Sequence, residues 1–371
     1  DDAPVGAPAQ GDGSDVRAHR TRAISEDSTI GASANRVDSV LVLADSTAVI
    51  DAITVAGAAA GAGGAGGGVA LGFAGAGSLN TIIGSVEALV LGATALWVAN
   101  SPAAGNKAVT VRATDTAAID ADAGAGALAL AGGKGGGVAI AGSGAFAVNE
   151  IVLTVRAAID GDTDSAGADT TETVIVNTTG DVLVTASVVA TIDAFTLGLS
   201  GSLSGGKGGG VSLAGAGSGS GNAIANTVEA RIDSADVDTS GAVDVLASDA
   251  STITATAGAA SLAISGGAGA GIGVAVGLSI AFNTIGNGKV LDPANGATGF
   301  LDLTSVNENT LDDASQAPEW NYTDAEVAGE SRAHTVRAII EDSDIGADSA
   351  RTGVVTVSAT STAAIDALTV A

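Results

Sequence analysis

The sequence predicts an all-β chain, an elongated parallel β-solenoid built from Gly/Ala-rich repeats. Three observations predict it: apolar residues recur with a period of two rather than 3.6, the same short motifs return at near-constant spacing, and large core residues are scarce. From Ala117 onward the odd positions read Ala117, Ile119, Ala121, Ala123, Ala125, Ala127 and Ala129, while the even ones include Asp120, Asp122, Gly124 and Gly126. Alternate side chains of a strand point to opposite faces, so the odd set makes one small, apolar face. Threonine-rich and valine-rich stretches such as Thr252-Ile253-Thr254-Ala255-Thr256 favour strand. The Gly-Gly-Lys-Gly-Gly-Gly runs at 132–137 and 205–210 read as turns.

Two repeats are nested. The longer has an offset of 315 residues: Arg17-Ala18-His19 returns as Arg332-Ala333-His334, and Ala48-Val49-Ile50-Asp51-Ala52 faces Ala363-Ala364-Ile365-Asp366-Ala367. The chain is thus about one long period plus the start of the next, which predicts a longer parent protein. The shorter repeat is marked by Asn80, Asn149, Asn222 and Asn283, at steps of 69, 73 and 61 residues. Six residues after the first three come Val86-Glu87-Ala88, Val155-Arg156-Ala157 and Val228-Glu229-Ala230. The organisation read from these marks is a linker at 1–14, repeat units at 15–85, 86–154, 155–227 and 228–289, a polar loop insertion at 290–330, and the start of the next period at 331–371.

Solenoid coils of about 20 residues would place three coils in each unit. Asp51, Asp120, Asp193 and Asp366 would then stand roughly 14 Å apart, as a solvated stripe rather than a coupled ladder. The alternative architecture is a row of tandem, tightly packed β-sandwich modules of 60–70 residues, against which the lack of large core residues argues.

Composition excludes whole classes of function. Acidic residues number 41 and basic residues 14, a net charge of −27, which rules out binding nucleic acid by phosphate neutralisation. Cysteine is absent, so there are no disulfides, thiolate nucleophiles or Cys-based metal sites. A hydrophobic fraction of 46% argues against disorder. The acidity and the missing cysteines suit an extracellular or cell-surface protein. Residues 55–77 carry no charge, but ten of them are glycine, which a membrane-spanning helix would not favour. The aromatic girdles of a membrane β-barrel are missing.

The motifs that carry chemistry are few. Gly201-Ser202-Leu203-Ser204-Gly205-Gly206-Lys207-Gly208 approaches a phosphate-binding loop, but Gly208 stands where Mg²⁺ binding needs Ser or Thr. Asp160, Asp162 and Asp164 have the one-three-five spacing of a calcium loop. Ser165 and Thr171 replace its glycine and its closing glutamate, so a complete EF-hand is excluded, and the candidate is a looser Ca²⁺ site that also draws on Asp169. The other reading of this segment is a solvated acidic turn. His19 and His334 are one repeat position seen twice, not a catalytic pair. Carboxylates are spread evenly by the repeats, so no enzyme is expected. Trp320 and Tyr322, in the polar insertion, form a candidate contact patch for a neighbouring chain or a sugar.

The run Thr227-Val228-Glu229-Ala230-Arg231-Ile232-Asp233, then Val243-Asp244-Val245-Leu246-Ala247, then a Gly/Ala-rich stretch ending Phe282-Asn283-Thr284-Ile285, resembles the repeats of giant bacterial surface proteins. These are leukotoxin-type filamentous adhesins and other large exported β-strand-repeat proteins. The resemblance covers all but residues 1–14 and 290–330. It implies secretion, a β-solenoid stalk, fibre or sheath, and an adhesive or biofilm-matrix role, with copies of itself, neighbouring repeats of the same chain, or surface polysaccharide as partners. An adhesin stalk presenting a tip elsewhere in the parent chain is the alternative. The resemblance carries over no catalytic residues.

Overall fold

The computed structural model describes residues 19–99, 107–161, 173–286, 334–346 and 352–371. Among them every regular element is a strand, and all strand pairs between named strands are parallel. The chain begins with β1 (His19–Glu26), β2 (Thr29–Ile30) and β3 (Val40–Gly64), then β4 (Gly68–Leu91), β5 (Ala95–Trp97) and β6 (Val109–Gly133). It continues with β7 (Gly137–Asp160), β8 (Val174–Asn177) and β9 (Val182–Gly206). Next come β10 (Gly210–Asp233), β11 (Ala235–Asp238), β12 (Val243–Asp249), β13 (Thr252–Gly267) and β14 (Gly271–Ile285). The last are β15 (Thr335–Glu341), β16 (Asp344–Ile345), β17 (Val355–Ser361) and β18 (Ala364–Val370).

These strands stack into three sheets. The first runs β1-β4-β7-β10-β14, with β15 also on β10; the second runs β2-β5-β8-β11-β16. In the third, β3, β6 and β9 pair in succession, β12 and β13 both pair with β9, and β17 and β18 lie on β12 and β13. Each circuit through the three sheets is one rung of a parallel β-solenoid. The rungs begin at His19, Gly84, Leu153, Asn226 and His334, which are register equivalents or their immediate neighbours in the first sheet.

A rung therefore uses a whole repeat unit, not a third of one. Val40 pairs with Val109, Val109 with Val182, Val182 with Val243, and Val243 with Val355. The expectation of 20-residue coils is wrong. The residues go instead into strands of 24 and 25 residues, about 80 Å long at about 3.3 Å per residue. The long strands of the first and third sheets lie face to face as a two-layered arm, and the short strands of the second sheet close the opposite end.

Residue size follows this cross-section. At the closed end three sheets enclose a wider space, filled by Val86, Leu96, Val111, Ile119, Ile151, Ile159, Ile192, Ile232 and Ile253, all buried. Along the arm only two sheets face each other, and the inward positions shrink to Ala70, Ala127, Ala129, Ala139 and Ala141, then to Ser200, Ser202 and Ser212 one rung further on. The two backbones nearly touch: a Cβ added to Gly198 would lie 2.2 Å from the carbonyl oxygen of Gly217 on the facing strand. Sheets normally stack about 10 Å apart, so the small residues are what permit this approach. The odd positions of β6 from Val109 to Ala131 are buried, as their period of two predicts.

The glycine-rich runs form the tips of the arm. Gly136 and Gly209 each close a tight turn, donating to the carbonyl oxygens of Gly133 and Gly206 at 3.3 and 3.2 Å. Both have positive φ, and a Cβ on Gly136 would lie 2.7 Å from Gly209 O, so this turn stacks on the next only if position 136 is glycine. Lys134 and Lys207 are exposed at these tips. The near match to a phosphate loop is thus a strand-to-strand turn with no helix after it.

Candidate functional site: side-chain ladders and open edges

Because each repeat is one rung, equivalent residues stand side by side. Asn80 donates from Nδ2 to Asn149 Oδ1 at 2.8 Å, Asn149 to Asn222 at 2.8 Å, and Asn222 to Asn283 at 2.7 Å. The first three asparagines are buried, and Asn149 and Asn222 each both donate and accept along the stack. The asparagine that marks the repeat is therefore a hydrogen-bonded spine.

A second ladder runs on the outer side of the first sheet. Arg22, Glu87, Arg156, Glu229 and Arg337 are successive register partners, so charge alternates in sign over five rungs. Arg22 Nε lies 2.5 Å from Glu87 Oε2, and Arg156 Nη2 lies 3.1 Å from Glu229 Oε1, the latter pair less than 10% exposed. Two rows away Arg231 pairs with Asp233 and lies 3.8 Å from Asp160 and 4.0 Å from Glu341.

Three of the four aspartates form a ladder, which corrects the expected spacing. Asp51 pairs with Asp120 and Asp120 with Asp193, one strand spacing of about 4.8 Å each, then Thr254 interrupts before Asp366. Partial burial, then the charges of Asp122, Asp193 and Asp51, hold the Asp120 carboxyl above its ordinary range. Thr254 at the fourth rung breaks the run of like charge.

The ladder also divides the outer face of the third sheet. Toward the tip the exposed positions are Ile53, Val55, Phe195, Leu199, Leu203, Leu262 and Ile264. On the opposite outer face Val69, Leu71, Phe73, Val274, Val276 and Leu278 are exposed. Phe73 lies over Gly142 of the neighbouring strand and Phe146 over Gly77, so the rings cover backbone that glycine leaves bare. The aromatics are outside; no aromatic residue belongs to the described core.

His334 caps the fourth rung. Its Nε2 lies 2.9 Å from Asp249 Oδ2, and Asp249 also accepts from Asn226 Nδ2 at 3.1 Å and Ser251 Oγ at 2.7 Å. Burial would raise the Asp249 pKa, but these bonds outweigh it and hold the carboxyl below its ordinary range. Asp115, at the equivalent position two rungs earlier, is buried with one oxygen unpartnered. Its carboxyl is pushed up to about 6 by burial, against a hydrogen bond from Ser46 and the charge of His19.

Of the candidate calcium residues, Asp160 is buried beside Arg156 at 3.9 Å and Arg231 at 3.8 Å, so cationic side chains already face it. Asp162, Asp164 and Asp169 lie outside the described residues, as do Trp320 and Tyr322. Among the described residues no group of three or more His, Asp or Glu is placed to hold a metal ion. No described helix is long and apolar enough to cross a membrane. Comparison with protein families, curated proteins and solved structures finds no match to this chain.

Proposed function

We propose that the chain is a structural segment of an extracellular bacterial surface fibre or sheath, working mechanically and through self-association. The observation that carries this reading is the register: Arg/Glu and apolar positions stack through five rungs and across the joint between one 315-residue period and the next, and the asparagines stack through the four positions within the period. Such an array gains stability with every rung added. The interior is filled by apolar side chains at the closed end and by closely approaching backbones along the arm, with little space for a substrate.

The rung size favours a ribbon or sheath over a long-reaching stalk. Four rungs advance the axis by only about 19 Å per period, while the long strands of each rung span about 80 Å across it. Coils of about 20 residues would have reached roughly 75 Å with the same chain. The apolar outer faces of the arms supply lateral contact between ribbons, since contiguous exposed apolar surface marks an interaction site. The acidic ladder limits where such contacts form, and Ca²⁺ bridging acidic stripes would strengthen them.

Electron microscopy of surface material from cells that carry the parent protein tests the reading. Ribbons or sheets about 80 Å broad would support it. Isolated thin rods ending in a globular tip would instead support an adhesin stalk.

A further inference from the structure

The outer edge of β3 is open: among the described residues Val40–Gly64 pairs only with β6. An open strand edge is a template for another strand. What fits this one is shown at the other end of the chain. The fifth rung repeats the first at an offset of 315 residues, with His334 for His19, Arg337 for Arg22 and Ile365 for Ile50. It lies on the fourth rung with Arg337 opposite Glu229, Val355 opposite Val243 and Ile365 opposite Ile253.

We propose that the open edge of β3 is a docking site for β12 and β13 of a preceding copy of the same 315-residue period, in the register Val40 opposite Val243 and Ile50 opposite Ile253. This rests on the ribbon reading and names its partner. The docking brings Glu229 of the preceding copy to Arg22 and Asp249 to His19, reproducing the pairs that Arg337 and His334 make. The site is also selective. First, third or fifth rungs would set Arg22, Arg156 or Arg337 against Arg22, and like charges directly opposite are destabilising. An even number of rungs per period is what keeps the alternation in phase. Two separate 371-residue chains meeting end to end would bring Arg337 to Arg22, so this joint does not form between them.

The test uses the full chain preceded by one more period, residues 19–333, in its natural cysteine-free background. Leu262→Cys in the first copy and Ala59→Cys in the second are register partners at this joint. Both positions are exposed, and they lie beyond Gly258, where the pairing with β18 stops. Neighbouring strands about 4.8 Å apart allow a disulfide. Mild oxidation is expected to cross-link this pair nearly completely, and at least tenfold faster than Leu262→Cys with Val55→Cys, which is displaced by four residues. Absence of the cross-link, or equal rates for both pairs, would overturn the docking. Ribbons seen in native material alongside such a failure would leave the ribbon reading standing and reject only this joint.

Discussion

Asn149 donates to Asn222 at 2.8 Å while accepting from Asn80 at the same distance, with its side chain fully buried. Both neighbours depend on it: Asn80 for an acceptor and Asn222 for a donor. Asn149→Ala strands both buried groups and is expected to destabilise the chain by about 2–6 kcal/mol, at about 1–3 kcal/mol for each unsatisfied group. Asn149→Asp still accepts from Asn80 but is expected to be worse, because it buries a carboxylate with its charge against the Asn222 side-chain oxygen. Urea unfolding with amide hydrogen exchange in β4, β7 and β10 measures both, and unchanged protection would contradict the spine.

Arg156 stands between Glu87 and Glu229 in a nearly dry row. Arg156→Ala leaves Glu229 without that partner, and removing one member of a buried pair typically costs about 3–5 kcal/mol. Arg156→Glu lines up three carboxylates and is expected to cost more, with partial recovery in high salt. Melting curves across salt concentrations check this; equal stability of wild type and Arg156→Glu would remove the ladder's register role.

The facing backbones at Gly198 give a paired test. Gly198→Ala puts a methyl within 2.2 Å of Gly217 O and must push the sheets apart. Its expected effect is a loss of about 3 kcal/mol or more, at the upper end of ordinary substitutions. Gly124→Ala, on the outer face of β6 with nothing within 4 Å, is expected to be neutral or stabilising by about 0.5–1 kcal/mol. Similar melting temperatures for the two variants would show that the sheets are not in contact.

Acid titration separates two buried aspartates at equivalent positions. Asp249 has a lowered folded pKa, so its contribution is present above the unfolded value near 4 and is lost as pH falls through the folded value. The fifth rung should loosen below about pH 4. Asp115 has a raised folded pKa of about 6, so the folded state binds the extra proton and stability falls as pH rises from about 4 through 6. Asp115→Asn is expected to stabilise the chain at pH 7 by up to roughly 3 kcal/mol and to flatten that part of the profile. Stability independent of Asp115 between pH 4 and 7 would contradict its burial as a carboxylate.

The fold class was legible in the sequence because a period of two fixes which faces are buried, and the 315-residue offset fixes recurrence. The rung size was not legible. Alternation along Val109–Gly133 says nothing about where the chain turns, and strands usually run about 5–6 residues. A 25-residue strand therefore looked like several coils, and the aspartates were spaced too far apart. The same error hid the charge ladder. Glu87, Arg156 and Glu229 were visible as repeat equivalents, but their alternating sign acquires meaning only when one repeat is one rung. Asn80, Asn149 and Asn222 likewise read as markers until they became neighbours.

The rung size is tested most directly by a distance between Asp51 and Asp193, each replaced by cysteine and spin-labelled, since the chain has no other thiol. One rung per repeat places them two strands apart, about 10 Å, and predicts strong dipolar broadening. A separation near 28 Å, the value for three coils per repeat, would contradict it.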